Sequence, residues 1–248
     1  MTKGFYFDGE NGKHNYFWDG KKMTGCTTIL SILAKPALIQ WAANMAVNYV
    51  KENSQTAKDA EVYIVLPTIL EEARTAHRRK KEEAGQKGTD VHAEIEKLIK
   101  EAIEKTNGFI ENWDGGNELD EKAKQIIHFI AWTQINKVKF LESEKRLYSE
   151  KLFIAGTCDF ICEIRKKRYV GDIKTGGIYD RIPYFQTAAY RMMLQEMGEK
   201  DYFGSVIVNI KKDGKFDETK NIMWSFDYQT DLEGFLAALK IYRILKNY

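Results

Sequence analysis

Cysteine and proline are both scarce in this chain, with three of each among 248 residues. Three cysteines cannot form a disulfide framework, and they are one short of a four-cysteine zinc or iron–sulfur site. We therefore expect Cys26, Cys158 and Cys162 to be small buried residues in a reducing compartment. The last two lie four residues apart in a predicted strand, which places both on one face.

Long hydrophobic runs and a strong net charge are also absent. No apolar stretch approaches the ~18 residues that span a membrane, and the start of the chain lacks the cationic and apolar segments of a signal sequence. We expect a soluble, cytoplasmic protein with no membrane partner. The net charge of +2 leaves other partners open, because nucleic-acid binding needs a local basic surface rather than a basic chain.

The first half of the chain is predicted to be mainly helical after an initial hairpin within residues 4–22. Helical spacing follows near residues 29–34 and over 36–53. Gly85 and Gly88 divide the next helical region, so we expect one helix near 67–84 and another near 89–105. A further amphipathic helix covers 119–138.

From Lys139 the period changes to alternation, which predicts three consecutive strands up to Lys174 with a turn at Arg165–Arg168. A helix opening at Pro183, a hairpin and a closing helix over 230–247 follow. This order indicates an α/β fold with a central mixed sheet flanked by helices. We expect a single domain over 1–248, with a helical N-terminal layer in 1–138 and the sheet core in 139–248.

The segment GDIKTG, residues 171–176, carries the strongest chemical signal. In a strand, Asp172 and Lys174 share one face while Ile173 turns to the other. Asp159 lies thirteen residues upstream of Asp172 in the neighbouring strand, so an antiparallel pair brings the two carboxylates together. Carboxylates suit Mg²⁺, and a lysine beside a metal-activated water stabilises the charge that develops on a phosphoryl group.

An isolated Asp-x-Lys triplet is weak evidence, because such triplets occur by chance on solvated strand faces. The context strengthens it: glycines bracket the triplet, a Gly-x-x-Asp precedes it, and a helix with Gln186 and Tyr190 one turn apart follows. No Ser/His/Asp pattern for covalent catalysis accompanies it. The residues of interest and their segments are His92 in GTDVH, Glu144 in ESEKRLYS, Asp159 in GTCD, Asp172 and Lys174 in GDIKTG, and Gln186 with Tyr190 in QTAAY.

These segments resemble, in order and spacing, the RecB-type and phage exonuclease branch of the PD-(D/E)XK nuclease superfamily. The opening GCTTIL with KPALIQWA is also similar to the start of phage exonucleases and of a mitochondrial exonuclease of the same branch. The resemblance implies a restriction-endonuclease-like core that binds one or two Mg²⁺ or Mn²⁺ ions. The cysteines that hold an iron–sulfur cluster in some relatives are missing, so no cluster is expected, and no helicase phosphate-binding motif is present.

The resemblance also implies roles for individual residues. Asp159, Asp172, the carbonyl of Ile173 and His92 would be metal ligands, and the imidazole would favour Mn²⁺ beside Mg²⁺. Lys174 would be the catalytic lysine. The remaining roles are bracing of the site for Gln186 and Tyr190, and support of a ligand or contact with DNA for Glu144, with Glu150 as its rival.

Basic and aromatic residues near these motifs are candidates for substrate contact. The basic runs at 77–81, which include Arg78, Arg79 and Lys80, and at 165–168 could contact phosphates. Tyr179 and Tyr184 could stack on unpaired bases. Trp41 is a weaker candidate, because core packing explains it better.

We therefore expect a metal-dependent deoxyribonuclease, favouring an exonuclease on single-stranded or end-processed DNA. Phage or bacterial recombination, replication or repair is the expected setting, with partner proteins from those processes. Three alternatives stay open: an endonuclease on the same core, a DNA-binding module with a silent site, and an anchoring subunit of a recombination complex.

Overall fold

A computed structural model describes residues 3–9, 14–33, 36–56, 63–111, 113, 120–178, 180–210 and 216–246. The chain divides into two compact units. One comprises Met1–Leu33 and Val91–Tyr248, and the other comprises Ala34–Asp90. The larger unit contains the main sheet and all residues of the candidate site described below, so the fold is considered mainly there.

Ten strands and seven helices make up the described part of the chain. The strands are β1 (Phe5–Asp8), β2 (Asn15–Trp18), β3 (Lys21–Gly25), β4 (Gln55–Thr56), β5 (Tyr63–Ile64), β6 (Lys139–Ser149), β7 (Ile154–Ile164), β8 (Lys167–Lys174), β9 (Tyr202–Asn209) and β10 (Ile222–Ser225). The helices are α1 (Cys26–Leu30), α2 (Pro36–Asn53), α3 (Pro67–Lys105), α4 (Glu121–Ile135), α5 (Ile182–Glu196), α6 (Glu218–Asn221) and α7 (Tyr228–Lys246).

Eight strands form one mixed sheet in the order β1-β2-β3-β7-β8-β9-β10, with β6 paired to β7. The pairs β3–β7 and β8–β9 are parallel, whereas the others are antiparallel. Strands β4 and β5 form a separate two-stranded ribbon in the smaller unit. The predicted α/β fold with a mixed sheet flanked by helices is therefore confirmed, and so are the initial hairpin and the three consecutive strands.

Helices cover both faces of the sheet in the larger unit. On one face, Phe160 and Val206 pack with the C-terminal part of α3 and with Trp132 of α4. On the other face, Ile161 and Val170 pack with α1, α5 and α7. Because strand side chains alternate between faces, each central strand contributes apolar residues to both layers, and the polar residues that break this pattern mark the site.

Helix α3 corrects the sequence prediction of two helices separated by Gly85 and Gly88. It runs without interruption from Pro67 to Lys105, and neither glycine has a positive φ. A glycine inside a helix costs only about 1 kcal/mol relative to alanine. The many Glu, Lys, Arg and Ala residues around the two glycines favour the helix, which explains why the helix continues.

The sequence predictions for the β7–β8 segment also need two corrections. The turn is confined to Arg165 and Lys166, both at positive φ, so Lys167 and Arg168 belong to β8. Cys158 and Cys162 are both buried, as expected, but they pack in different layers on opposite faces of the sheet. The alternation of β7 is broken between them, close to Asp159.

Among the helices that the structure describes, none has an apolar stretch long enough to cross a membrane. The longest, α3, is rich in charged residues along its whole length. The long helices α2 and α7 carry exposed apolar side chains. Charged residues interrupt α7 along its length, whereas α2 has charges only near its C-terminal end, at Lys51 and Glu52.

Candidate active site

The candidate site lies at a notch in the edge of β7. Strand β3 pairs with this edge at Ile154 and Ala155. Strand β8 pairs with the same edge only from Phe160 onward. Residues 156–159 between them have no partner on this edge among the described strands, and the C-terminal ends of β3 and β8 meet there.

A cavity of about 790 Å³ opens at this notch. Its floor is formed by Thr157 and Asp159 of β7 together with Asp172 and Lys174 of β8. Helix α3 contributes His92, α5 contributes Gln186 and Tyr190, and the N-terminal strands close the remaining side. The sheet thus creates a polar cleft by leaving part of one strand unpaired.

The end of β8 presents a buried carboxylate and a lysine to this cleft. Asp172 is fully buried, and the Lys174 side chain is 31% exposed. The Lys174 Nζ lies 2.7 Å from Asp172 Oδ1 and 2.6 Å from Oδ2. Ile173 points into the opposite layer, where it is buried among apolar residues. The alternation predicted from the sequence therefore brings Asp172 and Lys174 together.

Asp159 replaces a backbone partner in the β7–β8 ladder. Its Oδ2 accepts a hydrogen bond of 2.7 Å from the backbone N–H of Ile173. The backbone pairing of the two strands ends at Phe160 and Gly171, which are the residues next to Asp159 and Asp172. This side-chain bond satisfies a strand N–H that would otherwise lack an acceptor, and it fixes the Asp159 carboxylate beside Asp172.

Two glycines of the motif make room for aromatic rings. A Cβ on Gly171 would lie 2.0 Å from the ring of Phe160, and a Cβ on Gly156 would lie 2.5 Å from the ring of Tyr190. Both distances are far below van der Waals contact. Gly171 of GDIKTG and Gly156 of GTCD are thus required by packing beside the site, rather than by turns.

Helix α5 holds the lysine–carboxylate pair through Gln186. Its Nε2 donates to Asp172 Oδ1 at 3.2 Å and to the Tyr190 hydroxyl at 2.8 Å, and its Oε1 lies 3.5 Å from Lys174 Nζ. Both Gln186 and Tyr190 are buried. The one-turn spacing of these residues therefore places a buried hydrogen-bonded brace behind the site.

His92 lines the same cavity from α3. Burial lowers the pKa of its imidazole, the nearby Lys174 lowers it further, and Asp172 opposes both effects. The backbone of Ile173 also raises this pKa, which places the imidazole near the end of β8. His92 and Ile173, which the resemblance implied as ligands, therefore lie close to each other.

Glu144 is favoured over Glu150 as the functional glutamate. It lies on β6 opposite Asp159 and adopts a positive φ of 50°. Burial and the neighbouring Asp159 raise the pKa of its carboxyl to about 8. Glu150, in contrast, is exposed in the turn after β6. Glu144 is thus the glutamate beside Asp159, although it does not line the cavity.

The three central charges shift each other's protonation. Burial raises the pKa of Asp159, with Lys174 opposing it, and it raises the pKa of Asp172 to about 6. Burial lowers the pKa of Lys174, but the two carboxylates outweigh it and the net direction is upward. Lys174 is therefore a firm cation, suited to stabilising anionic oxygen rather than to accepting a proton.

The side chains of the cleft supply some of the ligands that a hard divalent cation needs, and water would have to supply the rest. Asp172 Oδ2 is buried and accepts no hydrogen bond of normal geometry. Within the described part of the chain, no three His, Cys, Asp or Glu side chains converge into a ready-made metal site. Mg²⁺ commonly uses one or two carboxylates and keeps several waters, so Asp159 and Asp172, with His92 nearby, form a donor set that matches such an ion.

The outcome differs among the aromatic and basic residues that were predicted to contact substrate. Tyr184 packs near Arg181 at the start of α5 and does not line the cavity. Tyr179 lies outside the described residues. The basic residues on the first part of α3 belong to the smaller unit, where they are exposed and Arg79 lies over the Tyr49 ring; they are Arg78, Arg79 and Lys80.

The N-terminal strands form one side of the cavity, which the sequence did not predict. His14, Lys22 and Thr27 all line it. Tyr16 is hydrogen-bonded through its hydroxyl to Thr157 Oγ1 at 2.9 Å, which ties β2 to the notch of β7. The one available signal was the GCTTIL segment, because it belongs to the resemblance although it carries no charged residue.

Comparison with known proteins does not add an assignment. No protein-family model matches the chain, and a comparison with curated proteins gives no match. The function is therefore inferred from the geometry of the cleft and from the resemblance of short segments.

Proposed function

We propose that the chain is a metal-dependent deoxyribonuclease of the PD-(D/E)XK type, with its centre at Asp159, Asp172 and Lys174. The observation that carries the proposal is the fixed lysine–carboxylate pair beside a second carboxylate in an open cleft. An ammonium next to two acidic groups, one of them with an unsatisfied oxygen, suits a reaction that needs both a cation site and a stabilised anion.

Each residue has a physical task in phosphodiester hydrolysis. Asp159 and Asp172 would hold Mg²⁺ or Mn²⁺, and a bound ion would acidify water and neutralise charge on the phosphoryl group. Lys174 stays protonated, and its ammonium group would donate a hydrogen bond to a phosphoryl oxygen. Gln186 fixes the lysine and Asp172 relative to each other, so their geometry needs no reorganisation during the reaction.

The substrate preference extends the same proposal. We favour an exonuclease on single-stranded or end-processed DNA, acting in the cytoplasm during phage or bacterial recombination, replication or repair alongside the proteins of those processes. These features rest on the resemblance of the sequence segments, with the open cleft as the structural support.

Digestion of end-labelled DNA tests the proposal directly. Wild-type protein is incubated with linear single-stranded, linear double-stranded and circular single-stranded DNA in Mg²⁺, Mn²⁺ or EDTA. We expect cleavage with either metal and none in EDTA. Asp172→Asn and Lys174→Ala should each reduce the rate by roughly 10³-fold or more, whereas Lys151→Ala, an exposed lysine in the β6–β7 turn, should not.

The outcomes separate the alternatives. Cleavage by Asp172→Asn at the wild-type rate, with circular dichroism confirming the fold, removes the site assignment. Degradation of circles favours an endonuclease on the same core. Metal-independent binding of DNA without cleavage under any condition identifies a DNA-binding module with a silent centre.

A further inference from the structure

A second feature lies at the opposite end of β8 from the candidate site. Four aromatic rings form one connected cluster there, contributed by β8, β9, β10 and the residue after β10. Ring centroids are 5.1–5.8 Å apart for the edge-on pairs and 6.3 Å for the nearly parallel pair. The rings belong to Tyr169, Phe203, Trp224 and Phe226.

Part of this cluster is open to solvent. Phe203 is 45% exposed and Phe226 is 59% exposed, whereas Tyr169 is buried and anchors the cluster in the core. The Phe226 ring lies against the bare backbone of Gly204, where a Cβ would come within 2.9 Å of it. The exposed rings are therefore held in place by packing on their inner side and present their outer side to solvent.

Cations accompany the rings on the same face. Lys167 Nζ lies 3.6 Å from the centroid of the Phe203 ring. Arg165 is close enough to Tyr169 to oppose the rise in the pKa of that phenol caused by burial. Within the described residues, neither Arg165 nor Lys167 forms an ion pair.

The other face of the same strands differs in charge. Arg168 points there, over the ring of Tyr202. Glu199 lies on that side, in contact with Tyr202 and in an ion pair with Lys145. An acidic residue thus accompanies the cations on one face, whereas Arg165 and Lys167 beside the exposed rings form no ion pair among the described residues.

We propose that the surface formed by Arg165, Lys167, Phe203, Trp224 and Phe226 is a second binding site for single-stranded nucleic acid. Exposed rings offer stacking platforms for unpaired bases, and unpaired cations beside them attract the phosphate backbone. A duplex buries its base faces, and an acidic peptide offers charge without bases, so neither uses both elements of this surface.

The surface is separate from the cleavage centre. Lys167 and Lys174 are seven residue steps apart along β8, a span of about 23 Å at roughly 3.3 Å per residue. A strand held here would be retained while another part of it reaches the cleft. The proposal goes beyond the nuclease function and does not require it, because binding at this surface needs no metal and no cleavage.

Fluorescence anisotropy with labelled oligothymidylate in EDTA tests the proposal. Phe226→Ala and Phe203→Ala should each weaken binding by about tenfold, since stacking of a base on an aromatic ring is typically of that size. Tyr6→Ala is the matched control, because Tyr6 is 49% exposed on β1 and far along the sheet order from β10. Phe226→Tyr should keep wild-type binding, because it retains an aromatic ring on which a base can stack.

An abasic strand of equal length decides between bases and charge. Wild type should prefer the strand with bases by about tenfold, and the preference should shrink in Phe226→Ala. Equal affinity for both strands would overturn the proposal. It would also be overturned in favour of an acidic partner if polyglutamate displaced the labelled strand as well as unlabelled oligothymidylate does. If Phe226→Ala and Phe203→Ala both bind oligothymidylate like wild type, the strand is held elsewhere and the second site is refuted.

Discussion

The two ends of β8 carry the same kind of cation in opposite settings. Lys174 is buried on most of its surface and held by Asp172 and Gln186. Lys167 lies on an exposed ring with no carboxylate partner among the described residues. A buried charge must be paired and fixed, which suits a reaction centre. An exposed charge remains free to meet a moving chain, which suits a surface for retention.

Replacing each lysine by arginine should have the largest difference in effect, with a large loss of cleavage at Lys174 and almost no change in binding at Lys167. Lys174→Arg should lower the cleavage rate by roughly 10²–10³-fold, because the planar guanidinium cannot take the place of an ammonium in this tight arrangement. Lys167→Arg should leave binding of single strands within about twofold, because a guanidinium stacks on an aromatic ring at least as well. Equal effects of the two substitutions, measured by digestion and anisotropy, would erase the distinction between the two ends.

Gly171 lies in β8 between these two ends, and its replacement should give the next largest effect, on the free energy of unfolding. Gly171→Ala places a methyl group against the Phe160 ring, where even a small shift disturbs the core. We expect a loss of about 2–3 kcal/mol in the free energy of unfolding, or roughly 5–10 °C in Tm. Gly176→Ala is the control, because a Cβ there meets nothing within 4 Å; similar losses in both variants would contradict the packing explanation.

The pH dependence of stability should reveal the burial of carboxyl groups near the cleft. Burial raises the pKa of Glu144 to about 8, with Asp159 and Glu96 adding to the rise and Lys100 and Arg146 opposing it. The folded state therefore binds this proton more tightly than the unfolded chain. The resulting stabilisation is complete below the ordinary pKa of about 4.5 and is lost as the pH rises through about 8.

We accordingly expect the Tm of the protein in EDTA to fall by several degrees between about pH 5 and pH 9. Asp172 adds to the fall at lower pH, because its pKa is raised to about 6. Glu144→Gln should flatten the profile above pH 6, and Glu150→Gln should leave it unchanged. Thermal shift measurements in which both variants follow the wild-type slope would show that Glu144 is not buried as described.

The parts of the site that the sequence predicted are those set by local rules. Strand alternation places Asp172 and Lys174 together, and helical spacing places Gln186 one turn from Tyr190. The predicted antiparallel pairing of β7 and β8 brings Asp159 near Asp172, although the turn between the strands is shorter than the sequence predicts. These relations need no knowledge of distant parts of the chain.

The parts that the sequence did not predict depend on distant pairing or on a break in regularity. The β3–β7 pairing brings the N-terminal strands to the cleft across more than a hundred residues, and no local pattern indicates it. The irregularity of β7 near Asp159 moves Cys158 and Cys162 to opposite faces against strand alternation. The exposed ring cluster joins residues from three strands that are separate in the sequence. The sequence therefore predicts only the basic run at 165–168 as a feature of this surface.

The notch in β7 has a consequence for the order of events during synthesis. Its walls come from β3, which ends at Gly25, and from β8 and α5, which end at Lys174 and Glu196. Closing so long a loop costs more conformational entropy than forming local contacts, and such contacts tend to form late in folding. The cleft therefore cannot be completed before α5 has been synthesised, and a chain that is still growing through β8 carries only part of it.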